Sequence, residues 1–160
     1  MPIVLYRVDD RLIHGQVVVG WATHLDADGI VVVDDALAAS PWEQELYRAG
    51  LSDRMQGWFV GVEEARRRLE SWRASPVRSI VLTRDLGTMR RLAQGGELAG
   101  TEVNLGGLHE APGRERVRSY LYLSGEDRSE IESLTRAGAR VSARDVPRAP
   151  RVSADELLEK

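Results

Sequence analysis

The chain has 160 residues, of which 42% are hydrophobic and 29% charged, with a net charge of −3. That length fits one domain with material for a sizeable core, and the charge balance argues against nucleic acid as a partner, which would demand a basic face. The lack of cysteine excludes a disulfide framework, a thiolate zinc site and a cysteine nucleophile, and no apolar run approaches the roughly 20 residues of a membrane span.

No basic segment followed by a long apolar run opens the chain, so a cytoplasmic location is expected. Lys160 is the only lysine. The other basic side chains are arginines, whose forked donors suit phosphate and carboxylate.

In chain order, apolar runs alternate with amphipathic ones. "IVLYRV" from Ile3 reads as a first strand, and "QVVVGWATHL" from Gln16 as a helix despite its β-branched residues. "IVVVDD" from Ile30 is a continuous apolar run, as expected of a strand buried on both faces. "SPWEQELYRAGL" presents Ser40 as an N-cap and Pro41 at the first helical position. "GWFVG" from Gly57 is the next strand. "VEEARRRLESWRA" follows as a helix with Val62, Ala65, Leu69 and Trp72 on one face.

"RSIVLT" from Arg78 is a fourth strand, and "DLGTMRRLAQGG" a helix capped by Asp85. "TEVNLGG" from Thr101 is a fifth strand, followed by a loop, "LHEAPGRERVR". "SYLYLS" from Ser119 is expected as a sixth strand. "GEDRSEIESLTRAGA" is a helix with acids in its first turn. "RVSARDV" from Arg140 alternates like an exposed edge strand, and "SADELLEK" is expected to form a short helix capped by Ser153.

This alternation predicts an α/β fold: an open, mainly parallel sheet of about six or seven strands with helices on both faces and a last strand that can be an antiparallel edge. The chain is expected to be one domain over residues 1–160, with a short tail from about 147. Ligands of such sheets bind beyond the carboxyl ends of the strands, which directs attention to the loops after Val8, Val33, Gly61, Thr83 and Leu105.

The first of these loops, within "RVDDRLIHGQ", is the richest. His14 stands between a strand and a helix. Gly15 allows close backbone approach, and N–H groups at a helix start face any anion placed there. Arg7 and Arg11 add positive charge. Asp9 or Asp10 can accept a hydrogen bond from one ring nitrogen and leave the other as nucleophile. That set describes an acceptor of a phosphoryl group. The competing reading is a polar surface loop with ordinary salt bridges.

Elsewhere the signals are weaker. His24 suits a helix C-terminus. His109 belongs to the same sheet edge as His14, and reads either as a site-lining residue or as an exposed loop histidine. Asn104, Gly106 and Gly107 suit a ligand contact or a tight turn. Thr83 is placed to touch phosphate. Asp34 and Asp35 read as a solvated loop before a metal pair, and the four tryptophans read as packing residues. There is no dinucleotide loop, no P-loop and no nucleophile elbow, and the three histidines lack metal-ligand spacing.

The motif "RVDDRLIHGQV" closely resembles the phosphorylation site of the IIB component of the mannose/fructose/sorbose class of the bacterial phosphoenolpyruvate-dependent sugar phosphotransferase system. The similarity extends through "GWATHLDADGIVVVDD", "VNLGGLH" and "YLYLSGEDRSEIESLTRAGARVSARDVP", nearly the whole chain. It implies the same open α/β fold and the activity of a protein-N(π)-phosphohistidine–sugar phosphotransferase. His14 would take a phosphoryl group from a phosphorylated IIA protein and pass it to a sugar held by membrane IIC and IID components, with peripheral membrane association.

The resemblance also implies roles for the neighbouring residues. Arg7 and Arg11 would neutralise phosphate, Asp10 would orient the ring or shape the loop, and Gly15 and Gln16 would offer backbone N–H groups. No metal and no cofactor is implied. Two other functions stand beside this one: a stand-alone regulatory phospho-relay module of the same fold, and a small-molecule-binding α/β protein, against which the motif weighs.

Overall fold

A computed structural model describes residues 2–159. Its main sheet is built from seven strands: β1 (Ile3–Asp9), β2 (Gly29–Val33), β3 (Gln56–Val60), β4 (Ser79–Thr83), β5 (Glu102–Gly107), β8 (Arg140–Ala143) and β9 (Val152–Ser153). Their order across the sheet is β3-β2-β4-β1-β5-β8-β9. All neighbours run parallel except β9, which pairs antiparallel with β8 through Ser142–Ser153 and Ala143–Val152. The antiparallel edge is therefore the short β9, and the "RVSARDV" segment expected at the edge lies one strand in. The segment after residue 147 re-enters the sheet through β9.

Side chains alternate between two cores, one on each face of the sheet. Tyr6, Val8, Val31, Val33 and Val81 enter one; Leu5, Ile30, Val32, Ile80 and Leu82 enter the other. The period of two places successive residues on opposite faces, and the continuous apolar strands are those of a sheet covered on both sides.

The first core is covered by α4 (Val62–Ala74), α5 (Leu86–Leu92), α6 (Gly125–Arg136) and α7 (Ala154–Leu158). The second lies under the Gln16–Trp21 helix, α1 (Ala22–Leu25), α2 (Asp35–Ala38) and α3 (Pro41–Arg48). Helix α4 spans the residues its periodicity predicts. Asp85 caps α5 by accepting from the Thr88 N–H at 2.7 Å, and Ser153 caps α7. Ser40 makes no side-chain cap bond to α3.

Two further expectations are corrected. "SYLYLS" does not join the main sheet. Its core, β7 (Leu121–Leu123), pairs antiparallel with β6 (Glu115–Arg118) in a separate hairpin. Leu108 anchors that hairpin to the end of β5, donating to the Tyr120 carbonyl at 3.1 Å and accepting from the Tyr122 N–H at 2.9 Å. Asp34 and Asp35 do not stand as a solvated pair. Asp34 caps α2 at the Leu37 N–H and binds Arg84; Asp35 accepts from the Val62 N–H and Arg91. Of the tryptophans, Trp42 is a surface residue at 68% exposure.

Candidate phosphoryl-acceptor site

Strand β1 lies between β4 and β5, where the chain changes the direction in which it adds strands. Its carboxyl end is the switch point at which such sheets bind ligands. The chain leaves β1 at Asp9 and turns through Leu12, a non-glycine residue with φ 56°. Leu12 is fully buried in the second core. This left-handed conformation costs a leucine on the order of 1–3 kcal/mol and is kept because the packing around it allows no other.

The helix that follows starts as a π-helix over Gln16–Trp21, and the Ala22 N–H reaches back to the Val17 carbonyl. Wide turns of this kind are frequent at functional sites. Gly15 precedes it with helical φ −53°, so the glycine supplies room and no unusual dihedral.

The centre of the site is the carboxylate of Asp9, which is wholly buried. Its Oδ2 lies 3.0 Å from Nε2 of His14 and accepts from Nη2 of Arg7 at 3.0 Å and Nη2 of Arg11 at 3.1 Å. Oδ1 accepts from Nε and the backbone N–H of Arg11, each at 3.1 Å. Burial alone would favour the neutral acid. The hydrogen bonds from His14 and Arg11 and the charge of Arg7 outweigh it and hold the carboxyl well below the usual range.

A carboxylate on Nε2 fixes the neutral tautomer with its proton there and leaves Nδ1 with a lone pair. His14 is 17% exposed through its side chain. Arg11, 33% exposed through its side chain, also donates from Nη2 to Gln16 Oε1 at 2.8 Å. Its Nη1 takes part in none of these bonds.

The expectation that Arg7 neutralises phosphate is overturned. Arg7 is fully buried, because its position in β1 faces the second core. Its Nη1 donates to Asn104 Oδ1 at 2.6 Å and to the Arg144 carbonyl; its Nη2 donates to Asp9 and the Asp145 carbonyl. The guanidinium also lies 5.3 Å from the centre of the Trp21 ring, and Trp21 Nε1 donates to that same Asp145 carbonyl at 2.8 Å. Burial lowers the Arg7 pKa, with Asp9 opposing.

Asn104 and Gly106 serve this arginine. Asn104 stands opposite Arg7 in the β1–β5 pairing, and a Cβ at Gly106 would collide with the Arg7 guanidinium. A Cβ at Gly107 would sit tightly against Arg11 and Asp9 without colliding, 3.2 Å from Arg11 Nη2, and the Gly107 carbonyl accepts from the Asp10 N–H at 3.0 Å.

Asp10 does not orient His14. It holds His109, taking Nδ1 at 2.5 Å on Oδ1 and the backbone N–H at 2.8 Å on Oδ2. His109 is thus a partnered residue of the site's rim. Thr83 is buried and donates to the Asp85 carbonyl at 2.9 Å, so its hydroxyl serves the turn into α5. The local residues left Asp9 and Asp10 open and the resemblance pointed to Asp10, whereas it is Asp9 that meets the His14 ring. Sequence reasoning missed Trp21, Arg144 and Asp145 as supports, and their distance along the chain left no local signal. Among the described residues, no group of three or more His, Asp or Glu side chains forms a metal cluster.

An α/β sheet that presents a carboxylate-oriented histidine and an arginine at its switch point has the groups that a phosphoryl-transfer site requires. The family model described as "PTS system sorbose subfamily IIB component" matches residues 3–160. The N-acetylgalactosamine-specific phosphotransferase enzyme IIB component 1 of Escherichia coli is 32% identical over 149 residues, covering 91% of each chain. The mannose-specific EIIAB component of Escherichia coli is 28% identical over 160 residues, and this chain spans 49% of its length.

The crystal structure of the IIBSor domain of the sorbose permease from Klebsiella pneumoniae superposes with a TM-score of 0.87 at 25% identity, covering 98% of this chain and 96% of that one. The chain belongs to the sorbose-subfamily IIB components of the phosphotransferase system, the phosphoryl-transfer components of sugar uptake.

Proposed function

We propose that His14 is the phosphoryl acceptor and that the chain carries phosphate from a phosphorylated IIA partner to a sugar held by membrane IIC and IID components. The observation that carries this reading is the 3.0 Å contact of Asp9 with His14 Nε2, which leaves Nδ1 as the nucleophile. Attack of Nδ1 on the donor phosphohistidine makes the ring a phospho-imidazolium. Its proton stays on Nε2 against the Asp9 carboxylate, which stabilises the positive ring. Departure of the phosphoryl group returns the neutral tautomer.

Phosphoryl transfer depends mainly on positioning and charge stabilisation. The free face of Arg11 and the N–H groups of Gly15 and Gln16 at the helix start supply these without a metal. Arg7 acts at one remove, holding Asp9 in place. Among the described residues no helix is long and apolar enough to cross a membrane. That fits a cytoplasmic protein docking on the transporter from its inner side.

The test is to mix the purified chain with phosphorylated IIA protein and follow the intact mass. The wild type gains one acid-labile phosphate, and His14→Ala gains none. Uptake of acid-labile phosphate by His14→Ala overturns the assignment.

A further inference from the structure

The two transfers assigned to His14 differ in their proton balance. In the first, phosphorus moves between two imidazole nitrogens: one phospho-imidazolium becomes a neutral imidazole and another forms, so no proton is released. In the second, a sugar hydroxyl attacks. A P–O bond forms, the P–Nδ1 bond breaks, His14 departs as the neutral ring with its Nε2 proton, and the hydroxyl proton must go elsewhere. Arginine has no acceptor site. Asp9 is wholly buried and already accepts from His14, Arg7 and Arg11.

His109 supplies what the His14 cluster lacks. Consecutive residues of an extended chain point to opposite sides, and Asp9 and Asp10 build two histidine–carboxylate pairs of opposite polarity. Asp9 takes Nε2 of His14 and leaves Nδ1 free. Asp10 takes Nδ1 of His109 and leaves Nε2 free. The backbone around His109 is held firmly. Arg114 Nη1 donates to its carbonyl at 2.9 Å, and Arg114 Nε is fixed by Asp127 at 3.1 Å. Asp127 in turn belongs to the capping box of α6.

The His109 ring itself is 63% exposed. Between it and the hydrogen-bonded Arg11–Gln16 pair lies a cavity of about 190 Å³, lined also by Ser119, Tyr120 and Tyr122. Three of its lining residues, Ser119, Tyr120 and Tyr122, carry hydroxyl groups, the side-chain chemistry that hydrogen-bonds a polyhydroxylated ligand. Arg11 thus has one side on the His14 cluster and the other on this cavity.

We propose that His109 is the general base of the acceptor step. It takes the hydroxyl proton on Nε2 as the sugar oxygen bonds to phosphorus, and Asp10 stabilises the imidazolium that forms, as a carboxylate does for any catalytic imidazole. The inference rests on His14 being the carrier. It assigns the acceptor to a sugar hydroxyl presented in the His109–Arg11 cavity.

The experiment separates the half-reactions. Uptake of phosphate from phosphorylated IIA protein is timed first. Phospho-protein is then chased with membranes carrying the transport components and, in turn, mannose, fructose, sorbose and N-acetylgalactosamine. His109→Gln and Asp10→Asn are expected to take up phosphate within about twofold of the wild-type rate. His109→Gln is expected to transfer it to the sugar that the wild type uses on the order of 10²-fold more slowly. Transfer by His109→Gln at the wild-type rate overturns the proposal, as does an equal loss in both half-reactions. Transfer from the phosphorylated wild type to none of the four sugars also overturns it. Failure of the wild type to take up phosphate at all overturns the carrier function instead.

Discussion

The Asp9 carboxylate lies 3.0 Å from Nε2 of His14, with no surface of its own. The contact joins a strand end to the loop that leads into a helix, and it decides which nitrogen of the ring keeps its lone pair. Asp9→Asn replaces a charged acceptor by an amide that can accept or donate, so both the tautomer and the stabilisation of the imidazolium are lost. Phosphate uptake is expected to fall on the order of 10²- to 10⁴-fold, read by quenched-flow uptake from phosphorylated IIA protein. A rate within threefold of wild type would show that Asp9 does not direct the ring.

The same carboxylate makes stability depend on pH. Asp9 is held well below the ordinary carboxylate range because hydrogen bonds from His14 and Arg11 and the Arg7 charge outweigh its burial. A carboxyl with a depressed folded-state pKa contributes stability above its unfolded value, about 4, and loses it as the pH falls toward the folded value. Wild type and Asp9→Asn are therefore expected to differ most near neutral pH and to converge as the pH is lowered below about 4. Urea unfolding at stepped pH measures this. Parallel curves through the acid range would contradict it.

Arg7 and Gly106 form one structural unit. Arg7→Met takes from Asp9 its fully buried cationic partner and from Asn104 Oδ1 its donor, and is expected to cost about 3–5 kcal/mol, the usual cost of breaking a buried charge pair from one side. Gly106→Ala puts a methyl group where the guanidinium lies and should cost on the order of 1–3 kcal/mol. The two are coupled, so Gly106→Ala should cost less in the Arg7→Met background. An equal cost in both backgrounds, by urea unfolding, would mean that Gly106 is not there for Arg7.

Arg11 behaves differently from Arg7 because it is partly exposed and has donors to spare. Arg11→Ala is expected to slow phosphate uptake on the order of 10²-fold while costing about 1–3 kcal/mol, because the Asp9 carboxylate loses two side-chain hydrogen bonds but keeps Arg7 and the Arg11 backbone N–H. A larger stability loss with an unchanged rate would reverse the roles of the two arginines.

The elements legible in the sequence are those whose signals are local. Helix α4 follows from its 3.6-residue apolar period, and α5 from Asp85. The buried strands follow from their β-branched runs. The hairpin was not legible because β6 is "ERVR", a charged segment with no strand signature. Its pairing depends on Leu108 docking β7 onto β5. Strand β9 has only two residues beyond a proline-rich turn.

At the site, His14, Arg11 and Gln16 could be read from one loop. Arg7 was misread as a phosphate ligand because its partners are remote: Asn104 on β5 and the carbonyls of Arg144 and Asp145, 137 and 138 residues away. The choice between Asp9 and Asp10 was open in sequence. The alternation of an extended chain only tells that two adjacent aspartates at a strand end serve different partners.

The central claim is that Nδ1 of His14 carries the phosphoryl group while Nε2 keeps its proton against Asp9. It is tested most directly by nitrogen and phosphorus NMR of the chain labelled with nitrogen-15 in histidine and phosphorylated by phospho-IIA protein. The account predicts phosphorus coupling to Nδ1 of His14 and a proton retained on Nε2. Phosphorus coupled to Nε2 of His14, or to a nitrogen of His24 or His109, would contradict it.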